Sequence, residues 1–177
     1  MDTETKPKGN KMLDMPTGTM ERLLGSLGFD PEAKKPTTFT MQCPIPEQGN
    51  DREYLAHTDK VWMFLVSSSP NDGENKVHTH TNEDHAFVVL MGQARFSGPN
   101  GEISVLKKHQ GIMLPRGTFY SFIADNNEAL VMLRIGVLVD ADKSAWSRKT
   151  LDGKDVVGSS TENNAVPTVF KAGAFFR

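Results

Sequence analysis

Hydrophobic and polar positions change period once along this chain. Met20, Leu23, Leu24 and Leu27 fall at i, i+3, i+4 and i+7, the stripe of one short amphipathic helix. Thr17 or Thr19 can cap its start and Gly28 can stop it. So short a helix is marginal alone, and its stripe needs something to dock on. From Thr37 onward the apolar runs are short and of β length. They predict strands over Thr37–Cys43, Lys60–Ser67, Lys76–His80, His85–Met91, Gln93–Gly98, Glu102–Lys107, Ile112–Leu114, Thr118–Ala124 and Glu128–Leu138. Turn chemistry separates them at Ser69-Pro70-Asn71-Asp72-Gly73, Gly98-Pro99-Asn100-Gly101 and Asp125-Asn126-Asn127. Many short strands with no helices between them predict an all-β sandwich or barrel. Phe87-Val88-Val89-Leu90 and the run Leu130 to Leu138 are apolar on both faces. Such strands need cover on two sides, from another sheet or from a partner subunit.

Polar ends flank this region. The expected division is an N-terminal arm with its helix over 1–36, a β-barrel over 37–140, and an extended C-terminal tail over 141–177 that packs on the barrel. The tail is polar from Lys143 to Thr161 and closes with Phe170 and Phe175-Phe176, aromatics suited to tying it down. The whole chain has 177 residues, 37% of them apolar, enough for one domain with a core. Its net charge of −2 argues against nonspecific nucleic-acid binding. A single cysteine, Cys43, excludes an internal disulfide and a cysteine-based zinc finger. No apolar run is long enough to cross a membrane as a helix, and Met1 to Lys11 is polar without an apolar stretch behind it. A cytoplasmic protein is expected.

The candidate chemistry lies in one short stretch, His78-Thr79-His80-Thr81-Asn82-Glu83-Asp84-His85. His78 and His80 are two apart on a predicted strand, so both imidazoles project to one face. With a third histidine a short turn later they can converge on one point. Imidazole suits iron, zinc, copper, nickel and manganese to varying degrees. The plainer reading is that these histidines decorate a polar turn.

The flanking residues favour the site, because the sequence resembles the cupin superfamily. The first cupin motif runs Gly, a spacer, His-x-His, three or four residues, Glu, six residues, Gly. Here it reads Gly73, four residues, His78-x-His80, four residues, His85, six residues, Gly92. The second motif, Pro-x-Gly, two residues, His, reads Pro115-Arg116-Gly117, Thr118-Phe119, Tyr120. Sixteen residues between Gly92 and His109 suit the usual spacing of the motifs. The resemblance covers about Lys60 to Val139. It implies a cupin jelly-roll β-barrel and, since cupins host diverse activities, no single reaction. Four positions depart from the pattern. The Glu position carries His85 and the fourth ligand position carries Tyr120, while His109 and Ala124 replace a glycine and an asparagine at turns.

The resemblance implies metal ligands at His78, His80 and His85. Asp84 is the alternative third ligand, giving two histidines and one carboxylate. Asp84 and His85 point to opposite sides of a strand, so only one can face inward. Three neutral imidazoles leave a divalent charge uncompensated and favour an anionic, chelating ligand. Tyr120 is an anionic fourth ligand, a catalytic contact to substrate or oxygen, or a wall residue. A phenol with a pKa of about 10 stays neutral unless a metal lowers it.

Arg134 interrupts an apolar strand, so it either reaches a carboxylate or meets an anionic substrate. Trp62 and Phe64 share a strand face and can wall a substrate pocket or serve as ordinary core. Arg116 is expected in solvent, His57 and His109 at the surface or in turns, and Cys43 as an inert thiol.

These expectations add up to a metal-dependent cupin enzyme acting on a small anionic or chelating substrate. The favoured reaction is that of a non-haem iron dioxygenase of a keto or aromatic compound, with Fe(II). A non-redox isomerase, cyclase or lyase using Zn, Ni or Mn as Lewis acid is the alternative, followed by a non-catalytic binding module. A homodimer is expected, with no nucleic acid and no membrane as partner.

Overall fold

Residues that accept a left-handed backbone punctuate this chain. Asn71, His109, Asn126 and Asn127 all have positive φ, and each sits in a turn between strands. Gly92, at φ 75°, turns where an added Cβ would meet the Ala129 carbonyl. The computed structural model describes residues 36–140, 148–156 and 166–177. The strands are β1 (Cys43–Gln48), β2 (Asn50–His57), β3 (Val61–Ser68), β4 (Gly73–His80), β5 (Glu83–Met91), β6 (Gln93–Gly98), β7 (Gly101–Lys107), β8 (Gly111–Leu114), β9 (Tyr120–Ala124), β10 (Leu130–Leu138), β11 (Arg148–Thr150) and β12 (Val169–Phe176).

Two five-stranded sheets form, ordered β2-β3-β10-β5-β8 and β11-β4-β9-β6-β7, and β1 pairs with β12 in a separate ribbon. All these pairings are antiparallel. From β3 to β10 the chain builds the orders 3-10-5-8 and 4-9-6-7, the two interlocked Greek keys of a jelly roll. The expected all-β jelly roll is thus what the chain adopts. The predicted helix around Met20–Leu27 lies outside the described residues.

Period-two burial assigns the faces. Glu83, His85, Phe87 and Val89 of β5 point inward, as do Leu130, Met132, Arg134 and Gly136 of β10. Phe87, Phe96, Phe122, Val89 and Met132 pack together in the barrel interior. The second apolar face of the central strands is also covered. Leu65 of β3 and Val131 of β10 pack with Cys43, Ile45 and Phe176 from the ribbon. This cover comes from β1 and β12 of the same chain, while Val137 of β10 stays 40% exposed.

Four strand expectations change, the short β11 among them. Residues 36–42 form no strand, and β1 starts where Thr37–Cys43 was expected to stop. Pro44 and Pro46 lack an N–H, so β1 pairs irregularly and only with β12. β2 escaped notice because Asp51, Arg52 and Glu53 mask its pattern; as a sheet edge it tolerates a polar outer face. β12 escaped because most of it is exposed and carries no inward alternation.

Candidate metal centre

Asn82, in the turn between β4 and β5, is tied to Asp140 just after β10. Asn82 Nδ2 donates to the Asp140 carbonyl at 2.8 Å, and Asp140 N donates to Asn82 Oδ1 at 3.0 Å. This fixes the turn that carries the buried His78 and His80 of β4 into the buried Glu83 and His85 of β5. Ligand atoms of His80, Glu83 and His85 all lie within 4.8 Å of one another.

The imidazoles are close enough to share an ion. Two imidazoles on one metal, with bonds of about 2.0–2.1 Å, have ring centres roughly 4.5–5.3 Å apart. The ring centres are 4.7 Å apart for His80 and His85, and 5.3 Å for His78 and His80. His78 Nδ1 lies 2.8 Å from the Lys76 carbonyl. A carbonyl only accepts, so Nδ1 carries the proton and Nε2 is the nitrogen suited to a metal. Tyr120 is directly opposite His78 in the β4–β9 register and wholly buried. Its ring centre lies 4.8 Å from that of His78 and 5.2 Å from that of His85.

Glu83 is the hub of this arrangement. Its Oε2 is 2.9 Å from His80 Nδ1 and its Oε1 is 3.6 Å from His85 Nδ1. The same Oε1 accepts a hydrogen bond from Arg134 Nη2 at 2.5 Å. A separation of 2.9 Å fits a carboxylate–imidazole hydrogen bond and equally two ligands on one ion. Gly136 makes room for this hub. It sits between His85 and Trp62 in register, and an added Cβ would strike Glu83 Oε1 and Trp62 Nε1.

The predicted residues divide as follows. His80 and His85 belong to the close trio, and His78 and Tyr120 adjoin it. Asp84 does not: it faces out, 39% exposed, accepting from Arg116 N at 2.7 Å, with Arg116 Nη1 3.7 Å away. The alternation that turns Glu83 and His85 inward turns Asp84 outward, so Asp84 is no ligand. Arg134 meets a carboxylate. Trp62 and Phe64 are buried together, with Tyr54 and Leu138 packed against them. His57 hydrogen-bonds Tyr54, and burial lowers its pKa. His109 occupies a left-handed turn position. Burial, then the charges of Glu53 and Asp51, push the Cys43 thiol up to about 12.

Two buried residues, one in the trio and one beside it, escaped the sequence. Glu83 was detectable, since extending the β5 alternation back from His85 by two residues reaches it. Arg148 carried no such signal. It lies in a three-residue strand within a polar tail, yet it is 4% exposed and directly opposite His80.

Two facing sheets built as interlocked Greek keys decide the architecture. The fold is that of a cupin. No protein-family model matches the chain, and no curated protein matches it. Solved structures of similar shape include a double-stranded β-helix protein from Klebsiella pneumoniae, 16% identical, covering 63% of this chain and 88% of that one at a TM-score of 0.47. A cupin superfamily protein from Desulfitobacterium hafniense is 23% identical, covering 51% and 78% at a TM-score of 0.43. The cupin domain of Schizosaccharomyces pombe Cnp3 is 17% identical, covering 52% and 67% at a TM-score of 0.48. Likenesses this distant say nothing about what the site of this cupin barrel does. Among the described residues, no helix is long and apolar enough to cross a membrane.

Proposed function

We propose that this chain is a metal-dependent cupin enzyme acting on a small anionic or chelating organic substrate, as a non-haem iron dioxygenase of a keto or aromatic compound. The buried trio of His80, Glu83 and His85 carries the reading. Two imidazoles and a carboxylate are a donor set that suits Fe(II) and leaves coordination positions open. These three would hold the ion, with His78 as a further imidazole donor and Tyr120 beside it. When bound, a ferrous ion supplies redox chemistry with O₂, whereas zinc, nickel or manganese supplies Lewis acidity.

The chain's own residues do the rest. Arg134 ties up Glu83 Oε1, which turns Oε2 toward His80. The Lys76 carbonyl fixes the His78 tautomer. Trp62, Phe64 and Phe87 keep the interior apolar, which strengthens every charge interaction inside it. Among the described residues the buried ionic side chains are Glu83, Arg134 and Arg148.

Elemental analysis of protein purified from iron-replete cells tests the reading, with oxygen uptake measured against a panel of 2-oxo acids, hydroxyketones and catechols. About one iron per chain and oxygen-dependent turnover are expected. Anaerobic turnover supported by zinc or nickel would replace the dioxygenase with a Lewis-acid enzyme. A chain that takes up no metal would overturn both.

A further inference from the structure

We propose that Trp62, Tyr54 and His57 form a radical relay that carries a one-electron oxidising equivalent from the trio to the edge of the barrel. The relay rests on the metal-and-oxygen reading above, which supplies the oxidant. One row across the sheet sets its path: His57, Trp62, Gly136 and His85 are successive partners in β2, β3, β10 and β5. Residues directly opposite in an antiparallel pair share a face, so His57 and Trp62 face the interior with His85. Trp62 reaches the trio. An added Cβ on Gly136 would strike both Trp62 Nε1 and Glu83 Oε1, so indole and carboxylate flank the space of one missing methyl group. A bulge brings Tyr54 to the same face. Tyr54 is opposite Phe64 and His57 is opposite Trp62, with Leu55 as the extra residue between them. Tyr54 packs against the Trp62–Phe64 pair and hydrogen-bonds His57 Nδ1. Both are half-buried on β2, the outer strand of its sheet.

Redox chemistry orders the three side chains. Indole and phenol both yield radicals on one-electron oxidation, and a phenol loses its electron more readily when a base takes its proton in the same step. His57 is that base, and burial lowers its pKa, so the ring is neutral and able to accept. A one-electron oxidant of the kind that iron and peroxide generate takes an electron from Trp62, leaving an indole radical cation. An electron from the Tyr54 phenol refills the indole, and the phenol proton passes to His57 Nδ1. A neutral phenoxyl and an imidazolium remain at the barrel edge, where dissolved reductants reach them. The relay drains the oxidant when no substrate consumes it.

Flash photolysis of metal-free protein tests the relay directly. A laser pulse ionises indole, and dissolved oxygen takes up the ejected electron. In the native chain the absorption of the indole radical should decay as that of a phenoxyl rises. Trp62→Phe leaves Trp146 as the one indole of the chain, and Tyr54→Phe leaves Tyr120 as the one phenol. Each variant should lose the phenoxyl rise. His57→Gln should slow it, because the amide takes no proton. Tyr54→Phe removes only a hydroxyl and serves if Trp62→Phe does not fold. A rise that persists in Trp62→Phe or Tyr54→Phe, or keeps its native rate in His57→Gln, would overturn the relay, as would a native chain that forms no phenoxyl. Iron-loaded protein treated with hydrogen peroxide and frozen should show the phenoxyl by electron paramagnetic resonance, and Tyr54→Phe should not. A phenoxyl after the flash but none with iron and peroxide would disconnect the relay from the trio and overturn it as well. A chain that takes up no iron would sink the metal reading, and the flash would still decide whether Trp62 oxidises Tyr54.

Discussion

Glu83 Oε1 and Arg134 Nη2 meet at 2.5 Å across β5 and β10, with both side chains buried. Such a pair need not stabilise the fold relative to apolar residues, but breaking it leaves one charge stranded. Arg134→Met should therefore cost about 3–5 kcal/mol, and Glu83→Gln a comparable amount. The double variant strands neither charge, so it should lose far less than the sum of the two. Urea unfolding of the four chains checks this. Additive losses would show that the pair is not coupled.

Adjacent carboxylates provide the cleanest test of the trio. Glu83→Gln should reduce metal affinity about 10- to 100-fold or more, whether Glu83 ligates the ion or holds the His80 proton. Asp84→Asn should leave metal affinity unchanged, because that side chain serves the Arg116 backbone at the surface. Competition against a chromophoric chelator measures both. A larger loss for Asp84→Asn than for Glu83→Gln would reverse the assignment of faces.

The place of Glu83 also shows what the sequence could reveal. Turn chemistry and strand period exposed the jelly roll, and His78-x-His80 marked the strand that carries the site. Starting β5 at His85 rather than Glu83 hid the carboxylate, although alternation places both on one face. The partner demanded by a buried Arg134 was likewise foreseeable in kind but not in identity, since β5 and β10 meet only through long-range pairing. Arg148 was beyond reach. A three-residue strand has no period to detect, and only the fold shows that it lies against β4.

Gly136 is a steric requirement of the site rather than a flexible joint. An added methyl would overlap Glu83 Oε1 and the Trp62 indole nitrogen. Gly136→Ala should push Glu83 from the histidines and cost about 1–3 kcal/mol in overpacking. Thermal melts should show the destabilisation, and metal titration should show weaker binding. Wild-type affinity in this variant would mean that Glu83 can leave the hub without harm.

Cys43 gives a prediction that is independent of any metal. It is buried where β1 covers the central strands, and its pKa is raised from 9.0 to about 12, mainly by desolvation. The thiolate is the reactive form, so at pH 8 the folded chain holds only about one part in ten thousand of it. Labelling with a thiol reagent should then proceed at the rate at which the ribbon opens, and denaturant should accelerate it sharply. The same shift acts on stability. Below pH 9 the thiol is protonated in both states and has no effect. Above pH 9 the unfolded chain loses the proton first, so the folded state loses ground progressively as pH rises toward about 12. Cys43→Val removes that contribution, and its stability should fall less steeply than that of the native chain between about pH 9 and 11. Parallel slopes, or rapid labelling of the folded chain, would show that the ribbon of β1 and β12 does not seal this face.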